Sequence, residues 1–135
     1  MPDDTQLHLS RIGQIGLNAH DIERATAFYR DTLGMQHLFT VPGKMTFFDC
    51  AGVRLMLSLP EGGPEFDHPG SVIYFKVDDI LKAFQTLEQK GVRIMAPPHL
   101  IARMGTHDLW MGFFKDSEDN VLSLMSEVPA APGTL

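Results

Sequence analysis

His107 and Tyr74 are the two side chains of this sequence best suited to acid–base chemistry. His107 stands in the segment MGTHDLWMGFF, next to the single tryptophan of the chain. An imidazole gains and loses a proton near neutral pH, so His107 is a candidate general acid or base. Tyr74, with its hydroxyl at the rim of the predicted pocket, is the second candidate catalytic residue. Each residue also has a purely structural interpretation: His107 as a hydrogen-bonded histidine at a strand end, and Tyr74 as a core tyrosine.

Nucleophilic catalysis has weaker support. Ser123 and His107 lie on neighbouring predicted strands and could meet, but nothing in the sequence marks an oxyanion hole, so hydrolysis is disfavoured. Cys50, the only cysteine, lies in FFDCAG and is interpreted as a small buried hydrophobe.

A second set of residues is suited to binding rather than to catalysis. Side chains alternate between the two faces of a strand, and this alternation puts a mostly apolar set with a few polar groups on one face. Such a lining is typical of a small-molecule site. Arg54 could bind an anionic group through two parallel hydrogen bonds, although a surface arginine at a strand start fits equally well. The predicted ligand-binding residues are Gln14, Asn18, Arg54, Met56, Val72, Met111, Phe113, Ser123 and Met125.

An internal repeat positions these residues. The segments 14–34 (QIGLNAHDIERATAFYRDTLG) and 72–91 (VIYFKVDDILKAFQTLEQKG) both run from an apolar strand through an Asp-Ile pair into a helix that ends at a glycine. The two Asp-Ile pairs lie 58 residues apart, which indicates duplication. Asp21 is a good N-cap for a helix over 22–33, and Asp78 or Asp79 for a helix over 80–90. Gly34 and Gly91 supply the helix ends.

The remaining apolar segments predict strands, and three of them follow each helix. They are expected at 11–18, 35–41, 44–50, 53–59, 71–77, 92–96, 106–115 and 121–127, with Pro97-Pro98 in a connection after the sixth strand. The expected domain organisation is a flexible N-terminus (1–9), a first module (10–60), a linker (61–70), a second module (71–128) and a disordered tail (129–135).

Composition excludes several classes of function. The net charge is −6 and the eleven Lys and Arg residues are scattered, which disfavours binding to nucleic acid or to anionic membranes. No apolar run approaches the roughly 18–20 residues of a membrane span. Phosphate-binding loops of the Walker and Rossmann kinds are absent. A single cysteine and the lack of a signal-like N-terminus predict a cytoplasmic protein.

The order strand–helix–three strands, found twice, resembles the vicinal oxygen chelate superfamily, which includes glyoxalase I, extradiol dioxygenases and bleomycin-resistance proteins. The segment FYRDTLGM matches the family, and DSEDN (116–120) resembles its Asp-Pro-Asp-Gly-Asn turn. The resemblance covers residues 10–127. It implies an α+β fold in which two βαβββ modules form a cupped, mixed eight-stranded sheet with helices on the outer face. It also implies a homodimer, with each cup built within one chain or across two.

The resemblance also implies where a divalent metal would bind. The four inward positions that metal-binding members use correspond here to Gln14, Met56, Val72 and Ser123. Only Gln14 is a reasonable ligand, because valine has no donor atom, a thioether is too soft and a neutral serine is weak. We therefore predict no metal ligands and no cofactor, with a divalent metal as the alternative. His99 and His107 form a weak second metal pair.

These observations favour a protein that binds a small, mainly apolar organic molecule in the cup, as bleomycin-resistance proteins do, with the usual metal site lost. The alternative is a lyase, isomerase or dioxygenase-like enzyme. Such an enzyme would use a non-standard metal site through Gln14 and His107, or acid–base chemistry by His107 and Tyr74. A third hypothesis, an accessory interaction module, has no sequence feature in its favour.

Overall fold

The computed structural model describes residues 7–8, 10–60 and 70–130 of the chain. The first module contains β1 (Gln14–Asn18), α1 (Ile22–Ala27), a π-helical turn (Phe28–Thr32), β2 (Gln36–Val41), β3 (Met45–Cys50) and β4 (Val53–Ser58). The second contains β5 (Ile73–Lys76), α2 (Ile80–Gln89), β6 (Arg93–Arg103), β7 (His107–Lys115) and β8 (Val121–Pro129). The predicted repeat of strand, helix and three strands is confirmed.

The eight strands are organised as two four-stranded mixed sheets, one in each module. The strand orders are β1-β4-β3-β2 and β5-β8-β7-β6. In each sheet one parallel pair, β1 with β4 or β5 with β8, adjoins two antiparallel pairs. The helices cover one face of the sheets, and a core that includes Tyr29, Phe48, Phe84 and Phe114 lies between helices and strands. The predicted α+β architecture is therefore confirmed.

Both helices begin at the aspartates that the repeat predicts. An Asp21 carboxylate oxygen accepts a hydrogen bond from the Arg24 N–H at 3.0 Å, and Asp79 accepts one from the Lys82 N–H at 3.1 Å. These contacts satisfy N–H groups that the first helical turn leaves without partners. Gly34 and Gly91 follow the helices with φ of 71° and 76°, the left-handed conformation that a side chain disfavours.

The first helix differs from the prediction in its second half. It was expected to be α-helical over 22–33, but it widens at Phe28 into a π-helical turn, in which the Leu33 N–H donates to the Phe28 carbonyl at 2.9 Å. Such turns accommodate one extra residue in a helix. Tyr29, at the start of this turn, is fully buried.

The sixth strand is longer than predicted. It was expected to end before Pro97-Pro98, yet β6 continues through both prolines to Arg103. β6 is an edge strand, where the missing N–H of proline breaks no hydrogen-bond ladder on the open side. Its pairing with β7 shifts register between Ala96 and His99, so the prolines lie at an irregularity of the ladder.

The turn between β7 and β8 connects the modules. Glu118 in this turn is buried, and its carboxylate accepts hydrogen bonds from the backbone N–H groups of His20 and Asp21, both at 2.8 Å. The Arg24 guanidinium donates to the same carboxylate at 2.7 and 3.1 Å. A carboxylate from the second module thus lies at the positive end of α1 in the first, where helix dipole and free N–H groups favour a negative charge.

A second network surrounds Asp116 in the same turn. The Tyr29 hydroxyl donates to its carboxylate at 2.7 Å, and the backbone N–H groups of Glu118 and Asn120 donate at 2.8 Å. The Asn120 side chain donates both to Asp116 and, at 2.9 Å, to the carbonyl of Asn18 in β1. Through Tyr29 and Asn18, the first module is thus joined to the turn that precedes β8.

The predicted N-terminal segment (1–9) and linker (61–70) lie mostly outside the described residues. So does most of the predicted tail (129–135), although Pro129 is the last residue of β8. Within the described part of the chain, no helix is long and apolar enough to cross a membrane.

Candidate functional site

The two faces of each sheet carry different side chains, as the period-two alternation predicts. Leu55 and Leu57 of β4 and Leu122 and Leu124 of β8 are buried under the helices. The residues between them point to the other face, which we call the open face because no helix covers it. The predicted ligand-binding residues of β1, β4, β7 and β8 all lie on the open face.

On the first sheet, the open face brings Gln14, Arg54 and Met56 into contact. Gln14 is the register partner of Arg54, and its amide oxygen accepts a hydrogen bond from the Arg54 Nε at 2.7 Å. The Gln14 amide nitrogen lies 3.6 Å from the Met56 sulfur. The Arg54 guanidinium lies 5.5 Å from the centroid of the Phe47 ring, a cation–π arrangement. Asn18, at the other end of β1, is half-buried.

Two aromatic residues that were not among the predicted ligand-binding residues lie next to Arg54 and Met56. Phe47 of β3 stacks on Phe39 of β2 with a centroid distance of 4.4 Å, and Phe39 is 49% exposed. Phe47 is the register partner of Met56, so it lies on the open face. Alternation along β3, combined with the pairing of β3 with β4, is the signal that would have found both rings.

On the second sheet, Tyr74 and Phe113 lie on the open face on either side of Ser123. Ser123 is the register partner of both residues, and their rings meet edge to face at 6.1 Å. Ser123 is fully buried, and its hydroxyl donates to the carbonyl of Gly112 at 2.8 Å. Its hydroxyl hydrogen is therefore already used within the protein.

The methionines of the second sheet lie further along the same face. Met111 and Met125 are register partners and are both half-buried. Beside them, the Lys76 ammonium forms an ion pair with Glu127 at 3.3 Å. The open face of this module is thus apolar at its centre, with one ion pair next to the two thioethers.

A cleft separates the two sheets where β1 and β5 face each other. Its volume is about 570 Å³, and its lining includes Gln14, Gly16, Val72 and Tyr74. Val72 was expected inside the fifth strand, but β5 begins at Ile73, so Val72 lies in the segment that enters the strand. A smaller, apolar cavity of about 200 Å³ lies at the same junction and includes Ile15, Cys50 and Phe75 in its lining. The cleft brings together residues from both copies of the repeat.

His107 is far from this cleft within one chain. His107 begins β7 and pairs with Pro129 of β8. Tyr74 pairs with Ser123 of β8, and Ser123 pairs with Phe113, which lies six positions from His107 along β7. At about 3.4 Å per residue this separation is roughly 20 Å. His107 and Ser123, which could have met on neighbouring strands, are therefore far apart. His99 pairs with Met111, which lies four positions from His107 along β7. The two histidines of the weak metal pair are therefore also separated.

The residues at the family's metal positions do not fit a divalent ion. The one good ligand atom, the Gln14 amide oxygen, already accepts from the Arg54 guanidinium, and a second cation beside it would be repelled. Ser123 is buried with its hydroxyl committed, and Val72 has no donor atom. No three His, Cys, Asp or Glu side chains among the described residues are placed to hold a metal ion together.

Comparison with known proteins agrees with this architecture. A family model described as the Glyoxalase/Bleomycin resistance protein/Dioxygenase superfamily matches residues 11–124. A glyoxylase-like domain-containing protein from Didymella fabae is 27% identical over 124 residues, which cover 82% of this chain and 88% of that protein.

Solved structures show the same fold. A member of this superfamily from Sphaerobacter thermophilus superposes with a TM-score of 0.73 and 25% identity, over 90% of this chain and 100% of its own. Lactoylglutathione lyase from Agrobacterium tumefaciens gives a TM-score of 0.68 at 21% identity, over 89% and 96% of the two chains. The chain belongs to the Glyoxalase/Bleomycin resistance protein/Dioxygenase superfamily.

Proposed function

We propose that this protein binds a small, mainly apolar organic molecule in the cleft between β1 and β5 and on the adjoining open faces. The observation that carries the proposal is the cleft itself, whose volume of about 570 Å³ is within the range of ligand pockets. Gln14 lies on one wall and Tyr74 on the other, so a bound molecule would contact both modules. Binding would serve sequestration or transport of that molecule.

The enzymatic alternative has less support. Acid–base chemistry by His107 and Tyr74 requires both groups to reach one substrate, and they lie roughly 20 Å apart by register within a chain. A metal site through Gln14 and His107 meets the further obstacle that Arg54 already donates to the Gln14 oxygen. Turnover of a small substrate that depends on both His107 and Tyr74 would restore this alternative.

Blocking the cleft tests the proposal. Gly16 lines the cleft, and a Cβ built there lies no closer than 3.6 Å to Met56, so a side chain fits at the backbone. We expect Gly16→Phe to fold and to fill the cleft, which would abolish the thermal stabilisation that a neutral aromatic probe such as 2-naphthamide gives the wild type. Gly70→Phe is the control, since a Cβ at Gly70 meets no atom within 4 Å and Gly70 is not among the cleft residues.

A probe that stabilises Gly16→Phe as much as the wild type binds elsewhere, and the proposed site would then be wrong. If neither 2-naphthamide nor a broader panel of neutral aromatic compounds stabilises the wild type, the binding function itself is contradicted.

We also propose that the protein is a homodimer. Phe39 is 49% and Tyr74 46% exposed on the open faces of a single chain, and large aromatic side chains at such exposure favour burial by a partner. Sedimentation equilibrium is expected to give twice the mass of the chain. A monomer at micromolar concentration would contradict the proposal.

A further inference from the structure

Arg54 occupies an unexpected position for a surface arginine. Its Nε donates to the Gln14 amide oxygen at 2.7 Å. That oxygen is the one good ligand atom at the four positions that the family resemblance assigns to a metal ion. A positive charge is therefore still present beside this oxygen, but it belongs to the protein. The cation is a planar guanidinium with several N–H donors.

We propose that the Arg54 guanidinium takes the place of the metal as the positive group of the site and binds the carboxylate of an aromatic acid. This inference rests on the proposed function and adds the chemical class of the ligand. A neutral apolar molecule would bind through the cleft alone, whereas an aromatic acid would also use Arg54.

The guanidinium is held on two sides before any ligand arrives. Gln14 accepts from Nε, and Phe47 lies under the guanidinium plane at 5.5 Å from its carbon to the ring centroid. Gln14 is itself oriented by the contact of its amide nitrogen with the Met56 sulfur at 3.6 Å. A side chain fixed in this way loses less conformational entropy on binding than a free arginine does.

Within the described part of the chain, the terminal nitrogens of Arg54 are open to a ligand. Among the described residues, no side chain accepts a hydrogen bond from them, and no carboxylate lies within ion-pair distance of Arg54. Asp49 is its register partner, but the Asp49 carboxylate accepts from the Gly52 N–H at 3.3 Å. Two parallel N–H donors on one edge of a guanidinium match the two oxygens of a carboxylate.

The surroundings of Arg54 favour an aromatic body on the ligand. Phe47 and Phe39 form a stacked pair next to the guanidinium, and half of Phe39 is open to solvent. Across the cleft, Tyr74 and Phe113 form a second ring pair. A flat ring carrying a carboxylate can thus meet the guanidinium with its charged end and aromatic side chains with its faces.

Two probes of the same shape and different charge test this inference. 2-Naphthoate carries a carboxylate, and 2-naphthamide replaces it with a neutral amide. We expect the wild type to bind naphthoate about tenfold or more tightly than naphthamide in isothermal titration calorimetry, because the carboxylate accepts charge-assisted hydrogen bonds from Arg54 and the neutral amide does not. The preference should weaken as salt concentration rises.

Variants at Arg54 separate charge from shape. Arg54→Gln is expected to lower naphthoate affinity by about tenfold or more and to lower naphthamide affinity by a much smaller factor. Arg54→Lys should give an intermediate naphthoate affinity, because it keeps the charge and loses the paired donors. Arg30→Gln is the matched control: it removes the same charge from the helical layer, where Arg30 pairs with Asp31, and should bind both probes as the wild type does.

Gln14→Glu provides a second test that leaves Arg54 in place. A carboxylate at position 14 would neutralise the guanidinium, so naphthoate affinity should fall by a larger factor than naphthamide affinity, which depends on Gln14 only as part of the cleft wall. Circular dichroism and thermal unfolding of every variant identify any loss of fold.

Several results would overturn the inference. Equal wild-type affinity for the two probes, or no binding of naphthoate, contradicts a carboxylate site. A parallel loss of both probes in Arg54→Gln would show that Arg54 only shapes the cleft. If Gly16→Phe abolishes naphthamide binding while Arg54→Gln leaves naphthoate binding intact, the inference fails and the proposed function stands.

Discussion

Glu118 is a single residue on which the junction between the modules depends. Its carboxylate accepts from two backbone N–H groups ahead of α1 and from Arg24, and its side chain is buried. In Glu118→Gln, an N–H₂ group replaces one of the two acceptor oxygens and faces N–H groups that previously donated to it. We expect it to lower the free energy of unfolding by about 1–3 kcal/mol. Urea denaturation measures the change, with the exposed Glu88→Gln as a control that should be close to the wild type.

The same residue predicts a pH dependence. Burial by itself would raise the pKa of Glu118, but hydrogen bonds from Arg24, Asp21 and His20 outweigh it and lower the pKa from 4.5 to about 2. A carboxylate whose pKa is lower in the folded chain stabilises the fold above pH 4.5, and that contribution is lost as the pH falls towards 2. The stability difference between wild type and Glu118→Gln should therefore shrink over this range. A difference that stays constant in urea titrations at stepped pH would contradict the assignment.

At the scale of single elements, the packing of α2 on β7 depends on the absence of a side chain. A Cβ built on Gly112 would lie 2.6 Å from Phe84 Cε2, inside the van der Waals contact distance. Gly112 and Phe84 are both buried, so the ring has little room to move. The equivalent positions of the first module are Thr26 in α1 and Thr46 in β3, both buried. There the helix and the strand each contribute a threonine, whereas the second module combines a phenylalanine in the helix with a glycine in the strand.

Gly112→Ala is expected to lower the free energy of unfolding by about 1–3 kcal/mol through overpacking. Gly13→Ala is the control, because a Cβ there meets no atom within 4 Å. The double variant Gly112→Ala/Phe84→Leu should recover part of the loss if the ring is the obstacle. No recovery would place the strain elsewhere, and chemical denaturation measures all three variants.

The length of the sixth strand also belongs to this scale. Pro97-Pro98 predicts an interruption from local rules, and the interruption is present only as a shift in the register of β6 with β7. An edge strand can continue past such a point because one side of its backbone needs no partner. Which strand lies at an edge is a property of the assembled sheet, so the sequence pattern of this segment did not reveal it.

For the whole molecule, the main question is whether the two modules unfold together. One core cluster includes residues of both modules, and the buried hydroxyl of Tyr29 donates to Asp116 in the other module. We therefore expect a single cooperative transition in urea for the wild type. Two separate transitions would show that the junction contributes little.

Tyr29→Phe removes this connection without changing the packing of the ring. We expect it to lower the free energy of unfolding by about 1–3 kcal/mol, because Asp116 loses one of its donors.

Burial, followed by the Asp116 charge, raises the pKa of Tyr29 well above 10.0, so its hydroxyl stays protonated in the fold. The contribution of the hydroxyl is therefore complete below pH 10 and is lost as the pH rises further. Urea titration at pH 7 and above pH 10 measures both effects; equal stability of the two proteins at pH 7 would contradict the role of the bond.

Local sequence patterns predict most of the helices and strands of this chain and the face on which each strand residue lies, with the π-helical turn and the extension of β6 as exceptions. The caps at Asp21 and Asp79, the helix ends at Gly34 and Gly91 and the alternation along β4 all depend on neighbours a few residues away. Such local rules also placed the predicted ligand-binding residues of β1, β4, β7 and β8 on the open face. The duplication then gave the order of the elements, since the same local pattern occurs twice.

Which of those residues meet depends on how the strands pair and the modules pack. Arg54 reaches Gln14 because β1 pairs with β4 in one register, and the ring of Phe47 lies beneath it because β3 pairs with β4 on the other side. Register likewise separates His107 from Tyr74, although both are on the same face. The carboxylate of Glu118 comes to the start of α1 from 94 residues away along the chain. Contacts over such distances depend on how strands pair and modules pack, and a one-residue shift in register would change every one of them.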